Sequence, residues 1–192
     1  MALDILTPPS EARLVPVPAR HAAAFCFALV VTACALASFA FACATPFSAF
    51  AVVGAAMLRL RAALLCVLGA WLVNQGIGFG VLHYPVDVNT LAWGGTIGAA
   101  ALAATVVART VLQALRPTML PLALGAALAG AYGTYELVLL AATPILGGEA
   151  SFTLAIVARI GFTSAAWLIG LVAACEIVRL LRPILPYRAV SR

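Results

Sequence analysis

The chain alternates between long apolar runs and short polar segments. Six apolar runs cover residues 21–44, 47–58, 62–81, 88–108, 119–142 and 152–171, and the last carries a helical pattern that extends as far as residue 181. A helix that crosses a bilayer needs about 20 predominantly apolar residues, and five of the runs have this length. The pattern therefore predicts an all-α, polytopic integral membrane protein with six transmembrane helices.

The second apolar run, residues 47–58, is short for a full crossing. One interpretation starts its helix earlier, around Phe41, with a kink at Pro46. The other interpretations are a short tilted helix or a partly re-entrant segment, which a membrane protein tolerates where protein surrounds the backbone. The sequence pattern leaves these alternatives open.

Composition agrees with a membrane protein. The chain is 65% hydrophobic and 9% charged, whereas soluble domains are about 25% charged. A net charge of +5 could suggest nucleic acid as a partner, but no basic stripe with interleaved aromatic residues is present on a soluble surface. The five cysteines lie in apolar runs without a C-x-x-C pair, so we interpret them as small apolar residues of membrane helices.

The arginines predict the orientation of the chain. With a cytoplasmic N-terminus, ten of the eleven basic residues fall in cytoplasmic segments, and the outer loops hold only His83, Asp87 and Glu149 as ionisable residues. This asymmetry follows the positive-inside rule and predicts that both termini are cytoplasmic (N-in/C-in). The ten are Arg13, Arg20, Arg59, Arg61, Arg109, Arg116, Arg179, Arg182, Arg188 and Arg192.

We expect one transmembrane domain with two tails. Residues 1–20 form a cytoplasmic proline-rich tail, residues 21–182 a single six-helix transmembrane domain, and residues 183–192 a cytoplasmic basic tail. Turn residues in 143–149 predict a loop before the last helix. Ala42-Cys43-Ala44 imitates a signal-peptidase site, but the preceding apolar segment exceeds the usual 7–15 residues, so a retained first helix is favoured.

Glu136 and Arg159 are the only ionisable residues well inside apolar runs. A charge near the centre of a membrane helix costs roughly 2.5–3.5 kcal/mol on insertion scales, so such residues usually have a partner or a ligand. The predicted topology places both about two turns below the outer surface, on consecutive antiparallel helices, where they are expected to touch. A structural ion pair and a ligand-binding role both remain open.

Other polar and aromatic residues share this outer half of the membrane. They recur at spacings of three and four residues, which places them on single helix faces. Apolar aromatic walls with a few convergent polar groups are typical of a small-molecule pocket, although Asn and Gln also bridge membrane helices and Trp and Tyr also line membrane interfaces. The candidate substrate-binding residues are Trp71, Asn74, Gln75, Asn89, Trp93, Tyr132, Glu136, Arg159, Thr163 and Trp167.

Catalytic and cofactor-binding motifs are missing from the sequence. It has no H-E-x-x-H, no G-x-S-x-G and no phosphate-binding P-loop. His83 and Asp87 on one outer loop are too few ligands for a metal site. We therefore expect no metal, no cofactor and no enzymatic activity, and an intramembrane enzyme is the third interpretation.

Six helices, two cytoplasmic ends, short loops and a polar-aromatic cluster under the outer surface resemble the S components of energy-coupling-factor transporters. The resemblance is of architecture and covers residues 21–181. It implies a substrate-binding subunit in the bacterial cytoplasmic (inner) membrane that captures a vitamin-like small molecule for transport, and that associates with a transmembrane scaffold subunit and ATPase subunits. The alternative is a non-catalytic accessory or assembly subunit of a larger membrane complex.

Overall fold

A computed structural model describes residues 13–41, 45–116 and 118–181, and these residues form six α-helices and one short 3-10 turn. Ala42-Cys43-Ala44, the segment 1–12 and the basic tail 183–192 lie outside the described residues. The helices are α1 (Ala19–Phe41), α2 (Phe47–Met57), α3 (Leu60–Gly80), α4 (Val88–Ala114), α5 (Leu120–Leu146) and α6 (Leu154–Leu181), with the 3-10 turn at Glu149–Phe152.

Five of the six helices are long and apolar enough to cross a membrane. The prediction of an all-helical, multi-pass membrane protein is thereby confirmed. The number of helices in the described residues agrees with the six that were predicted. The second run, whose crossing the sequence left open, forms a helix of only 11 residues, which is about 16 Å long at 1.5 Å per residue. A helix of this length covers about half of the hydrocarbon core, which is about 30 Å thick.

Helix α2 is the centre of the bundle. All eleven of its residues are buried, and it contacts each of the other five helices. A helix that is apolar on every side is covered either by protein or by lipid, and around α2 the cover is protein. Burial on every side explains why α2 has no polar face and why the short second run is apolar throughout.

Contacts between α1 and α3 show that these two helices run parallel. Cys26 lies opposite Cys66, with their sulfurs 3.9 Å apart. Two turns further along, the Cys34 thiol donates a hydrogen bond to the Ala70 carbonyl at 3.1 Å. Since α1 and α3 run in the same direction, the chain between them must return across the bundle, and α2 lies in that connection.

The end of α5 differs from the predicted loop. The helix continues to Leu146 through Pro144, although a loop was expected from residue 143. Proline lacks an N–H and so leaves the carbonyl four residues earlier without its helical partner. Here the Thr143 hydroxyl donates to that Leu140 carbonyl at 2.8 Å, so the helix passes the proline and ends at Gly147, which has a φ of 77°.

Part of the predicted proline-rich tail belongs to the bundle. Leu14 is buried, and the Arg13 backbone N–H donates to the Ala56 carbonyl at 2.8 Å. The Arg13 guanidinium donates to the carbonyls of Leu115 at 2.8 Å and Thr118 at 2.7 Å. Residues 13–18 are therefore held against the end of the bundle where α2 and α4 finish.

All described arginines except Arg159 lie at this end, which we call the arginine end. It comprises Arg13, Arg20, Arg59, Arg61, Arg109, Arg116 and Arg179. The opposite end carries His83, Asp87 and Glu149. There Asp87 caps α4 by accepting hydrogen bonds from the Thr90 backbone N–H at 2.9 Å and the Thr90 hydroxyl at 2.8 Å, which lower the pKa of the Asp87 carboxyl.

Candidate functional site

The short α2 leaves space at its N-terminal end. A cavity of about 390 Å³ lies there, between α4, α5 and α6, on the side of the bundle away from the arginine end. Thr45, which directly precedes the Pro46 cap of α2, contributes to its lining. The lining residues are Thr45, Trp93, Ile97, Tyr135, Glu136, Leu139, Gly148, Ser151, Phe152, Ile156, Arg159 and Ile160.

Aromatic contacts hold the walls of this cavity. Phe47, the first residue of α2, stacks on Tyr135 of α5 with ring centroids 6.3 Å apart. Trp93 lies against Gly148, where a Cβ would be 3.6 Å from the indole. Gly148 has a φ of 93°, a conformation that disfavours residues with side chains, so the loop after α5 can turn closely over the tryptophan.

Glu136 and Arg159 bring opposite charges to the cavity. The expected contact between them is wrong, since the two side chains form no ion pair in the described part of the chain, where Glu176–Arg179 does form one. Arg159 is exposed and Glu136 is half-buried. The Tyr132 hydroxyl lies beside Glu136 and donates to the Val157 carbonyl of α6. The two charges therefore do not neutralise each other by direct contact.

Asn74 and Gln75 do not line the cavity, but they form a hydrogen-bond network with Thr45, which does. The Asn74 amide donates to the hydroxyls of Ser38 at 2.9 Å and Thr45 at 3.1 Å, and the Gln75 amide donates to the Asn74 oxygen at 3.1 Å. This network connects the end of α1, the segment just before α2 and the C-terminal third of α3. It satisfies polar groups near the break between α1 and α2 and holds Thr45 in place.

The three tryptophans point to three different places. Trp93 lines the cavity. Trp71 packs between α3 and α4, where its indole N–H donates to the Gly94 carbonyl at 2.9 Å. Trp167 meets Phe50 of α2 edge-on at 6.3 Å and lines a separate groove between α1 and α6. The three rings therefore do not line one cavity, and the prediction that all three belong to the binding pocket is wrong.

The remaining two candidates lie outside the lining as well. Asn89 is exposed in the first turn of α4. Thr163 donates its hydroxyl to the Arg159 carbonyl at 2.9 Å, within α6. Of the ten candidates, the cavity therefore brings together Trp93, Glu136 and Arg159, with Tyr132 beside Glu136.

No family model, curated protein or solved structure matches this chain. A helical bundle by itself does not define an activity, since one fold hosts many functions. The function is therefore inferred from the cavity and its charges.

Sequence reasoning missed several cavity residues. Thr45 lies between the first two apolar runs, Ser151 lies between the predicted loop 143–149 and the last run, and Phe152 begins that run. Their role depends on the 3-10 turn, which folds the loop back over the cavity. Tyr135 had a signal, because it is adjacent to Glu136 in an otherwise apolar run.

Proposed function

We propose that this chain is the membrane substrate-binding subunit of an uptake system for a small, vitamin-like molecule. The observation that carries the proposal is a cavity above the half-length α2, walled by aromatic and aliphatic groups, with two opposite charges that do not neutralise each other. Its volume of about 390 Å³ falls in the range of roughly 300–1,000 Å³ that is typical of small-molecule sites.

The lining indicates the chemistry of the ligand. Arg159 provides a donor for an anionic or carbonyl group, and Glu136 provides an acceptor for a cationic or N–H group. The indole of Trp93 and the aliphatic side chains of the lining favour a flat apolar body. A charge at membrane depth is expensive unless it is paired or solvated, and such residues often mark a substrate site, which favours a ligand with polar groups for both charges and an apolar body.

The arginine end supports an orientation for this function. The positive-inside rule places that end in the cytoplasm, with both termini inside and the cavity open toward the outer side of a bacterial inner membrane. The chain contains no lysine, so it cannot supply the phosphate-binding lysine of a P-loop. Energy for uptake would accordingly come from ATPase subunits, joined to this chain through a transmembrane scaffold subunit.

A second candidate function is an accessory subunit of a larger membrane complex. The observation that favours it is the groove of about 390 Å³ between α1 and α6. Small residues in its lining, Ala33, Ala166 and Gly170, would allow a helix of another protein to approach closely.

Native mass spectrometry of the protein purified from its own membranes tests the proposal. The expected result is a small-molecule adduct on the wild type that Arg159→Gln and Glu136→Gln both weaken. Arg179→Gln is the matched control, because Arg179 pairs with Glu176 at the opposite end of the bundle. A protein without any small-molecule adduct that remains in a large complex would reject the substrate-binding function and support the accessory one.

A further inference from the structure

The seam between α3 and α4 has two different halves. In the half away from the arginine end the helices are in close contact, since a Cβ on Gly98 would lie 2.8 Å from the Trp71 ring and one on Gly94 would lie 2.5 Å from the Gln75 side chain. In the half toward the arginine end, the surface of the seam that faces away from the bundle holds a groove of about 580 Å³. Its lining residues are Arg61, Leu64, Leu65, Leu68, Leu102, Ala103 and Val106.

The groove is apolar along its length and charged at one end. Its α3 residues follow positions i, i+3, i+4 and i+7, so they form one face about 10 Å long by the helical rise. Leu65 is 60% exposed and Val106 is 40% exposed, and in a membrane these side chains face lipid. Arg61 stands at the end of this face that meets the arginine end.

Arg61 differs from the other arginines near it. Its guanidinium makes no hydrogen bond and no ion pair with any residue in the ranges 13–41, 45–116 and 118–181, whereas Arg13 and Arg109 donate to backbone carbonyls. It is exposed in the first turn of α3. At this position a cation lies at the level of lipid headgroups, because helix-flanking arginines sit at the membrane interface.

We infer that this groove is a binding site for an anionic phospholipid. The phosphate accepts hydrogen bonds from the Arg61 guanidinium, and one acyl chain lies along the leucines of α3 and α4. The groove is about one-third as long as the hydrocarbon core of a bilayer, which is about 30 Å thick. It therefore holds the part of the acyl chain that is next to the headgroup. The site is independent of the ligand cavity, which lies at the other end of the bundle.

The lining favours a lipid over a partner helix. Membrane helices associate through small residues that let the backbones approach, but here five of the seven lining residues are Leu or Val. Such branched side chains leave an irregular apolar channel that a flexible acyl chain fills. The single unpaired cation selects an anionic headgroup, since basic pockets between membrane helices are typical sites for such lipids.

The test titrates the full-length, delipidated protein with two lipids of identical chains, phosphatidylglycerol and phosphatidylcholine, and follows adducts by native mass spectrometry. One cation near a membrane surface contributes about 1 kcal/mol, so the wild type should prefer phosphatidylglycerol about fivefold. Arg61→Gln should remove this preference, and Arg61→Lys should retain it. Ala103→Phe should weaken both lipids, because the new ring fills the groove.

The control is Arg20→Gln, which removes an exposed arginine of the same end that is outside the groove. It should keep the preference. Equal losses for Arg20→Gln and Arg61→Gln, or a preference that survives Arg61→Gln, would overturn the inference. It would also be overturned by a dimer that Ala103→Phe dissociates, since the groove would then be an interface between two copies. Arg61 is exposed, so its replacement leaves the core intact and decides the outcome even if Ala103→Phe fails to fold.

Discussion

Replacement of Glu136 and Arg159, singly and together, distinguishes a structural ion pair from a ligand site. Removing one partner of a buried ion pair costs about 3–5 kcal/mol, because the other charge stays buried and unpaired. In this protein the two side chains form no ion pair within the described residues, and Arg159 is exposed. Neither Glu136→Gln nor Arg159→Gln should therefore strand a buried charge.

The expected magnitudes follow from this geometry. Each single replacement should change the free energy of unfolding by less than about 1 kcal/mol, the scale of exposed charges. The changes in unfolding free energy from two substitutions at sites without shared contacts add within roughly 0.3–0.5 kcal/mol. For a chain of 192 residues a change of 1 kcal/mol shifts the melting temperature by about 2–4 °C, so the coupling between the two sites should stay below about 2 °C.

The assay is thermal unfolding in detergent for the wild type, both single variants and the double variant, combined with adduct detection by native mass spectrometry. Loss of a charged hydrogen bond should weaken a ligand at least tenfold in each single variant, since such bonds contribute about 1.5–3 kcal/mol. The reasoning would be refuted by a double variant that regains several kcal/mol lost in a single variant. Full ligand binding by the folded double variant would equally reject a binding role for the two charges.

Four further outcomes are expected. Gly98→Leu should destabilise the protein by about 1–3 kcal/mol, because the added side chain meets an indole ring, whereas Gly95→Leu on the same helix points into open space and should be near neutral in the same melting assay. Trp93→Phe should abolish any ligand-induced change in tryptophan fluorescence, since Trp93 is the tryptophan in the cavity lining; a persisting signal would contradict that placement. Asn74→Leu removes three hydrogen bonds, each contributing about 0.6 kcal/mol in a membrane, and should cost about 2 kcal/mol of unfolding free energy; an unchanged melting temperature would show that the network is not stabilising. Glu149→Cys in intact cells should react with an impermeant maleimide from outside, and labelling only after lysis would reverse the proposed orientation.

The helices themselves follow from local pattern. Long apolar runs are forced into helices in a bilayer, because no other single segment satisfies its own backbone hydrogen bonds there. This is why five membrane-length helices could be predicted from hydropathy alone. The end of α5 could not, because a proline at residue 144 usually ends a helix and only the Thr143 hydroxyl shows why it continues.

The candidate site was only partly predictable, for a different physical reason. Periodicity and the predicted topology indicate which helix face each polar residue occupies and how deep it lies in the membrane. This was enough to select Trp93, Glu136 and Arg159 as cavity residues. It does not determine which face turns toward which neighbour, so Asn74 was expected at a ligand although it supports the α1–α2 break.

Amino-acid sequence alone determined the class of protein, the positions of most helices and the concentration of arginine away from the charged pair. Tertiary structure alone decided that the short run is the buried centre of the bundle and that its length leaves a cavity above it. It also decided that Glu136 and Arg159 share this cavity without pairing. The physical reason is that hydropathy acts along one segment at a time, whereas a cavity and the separation of two charges depend on how several helices pack against one another.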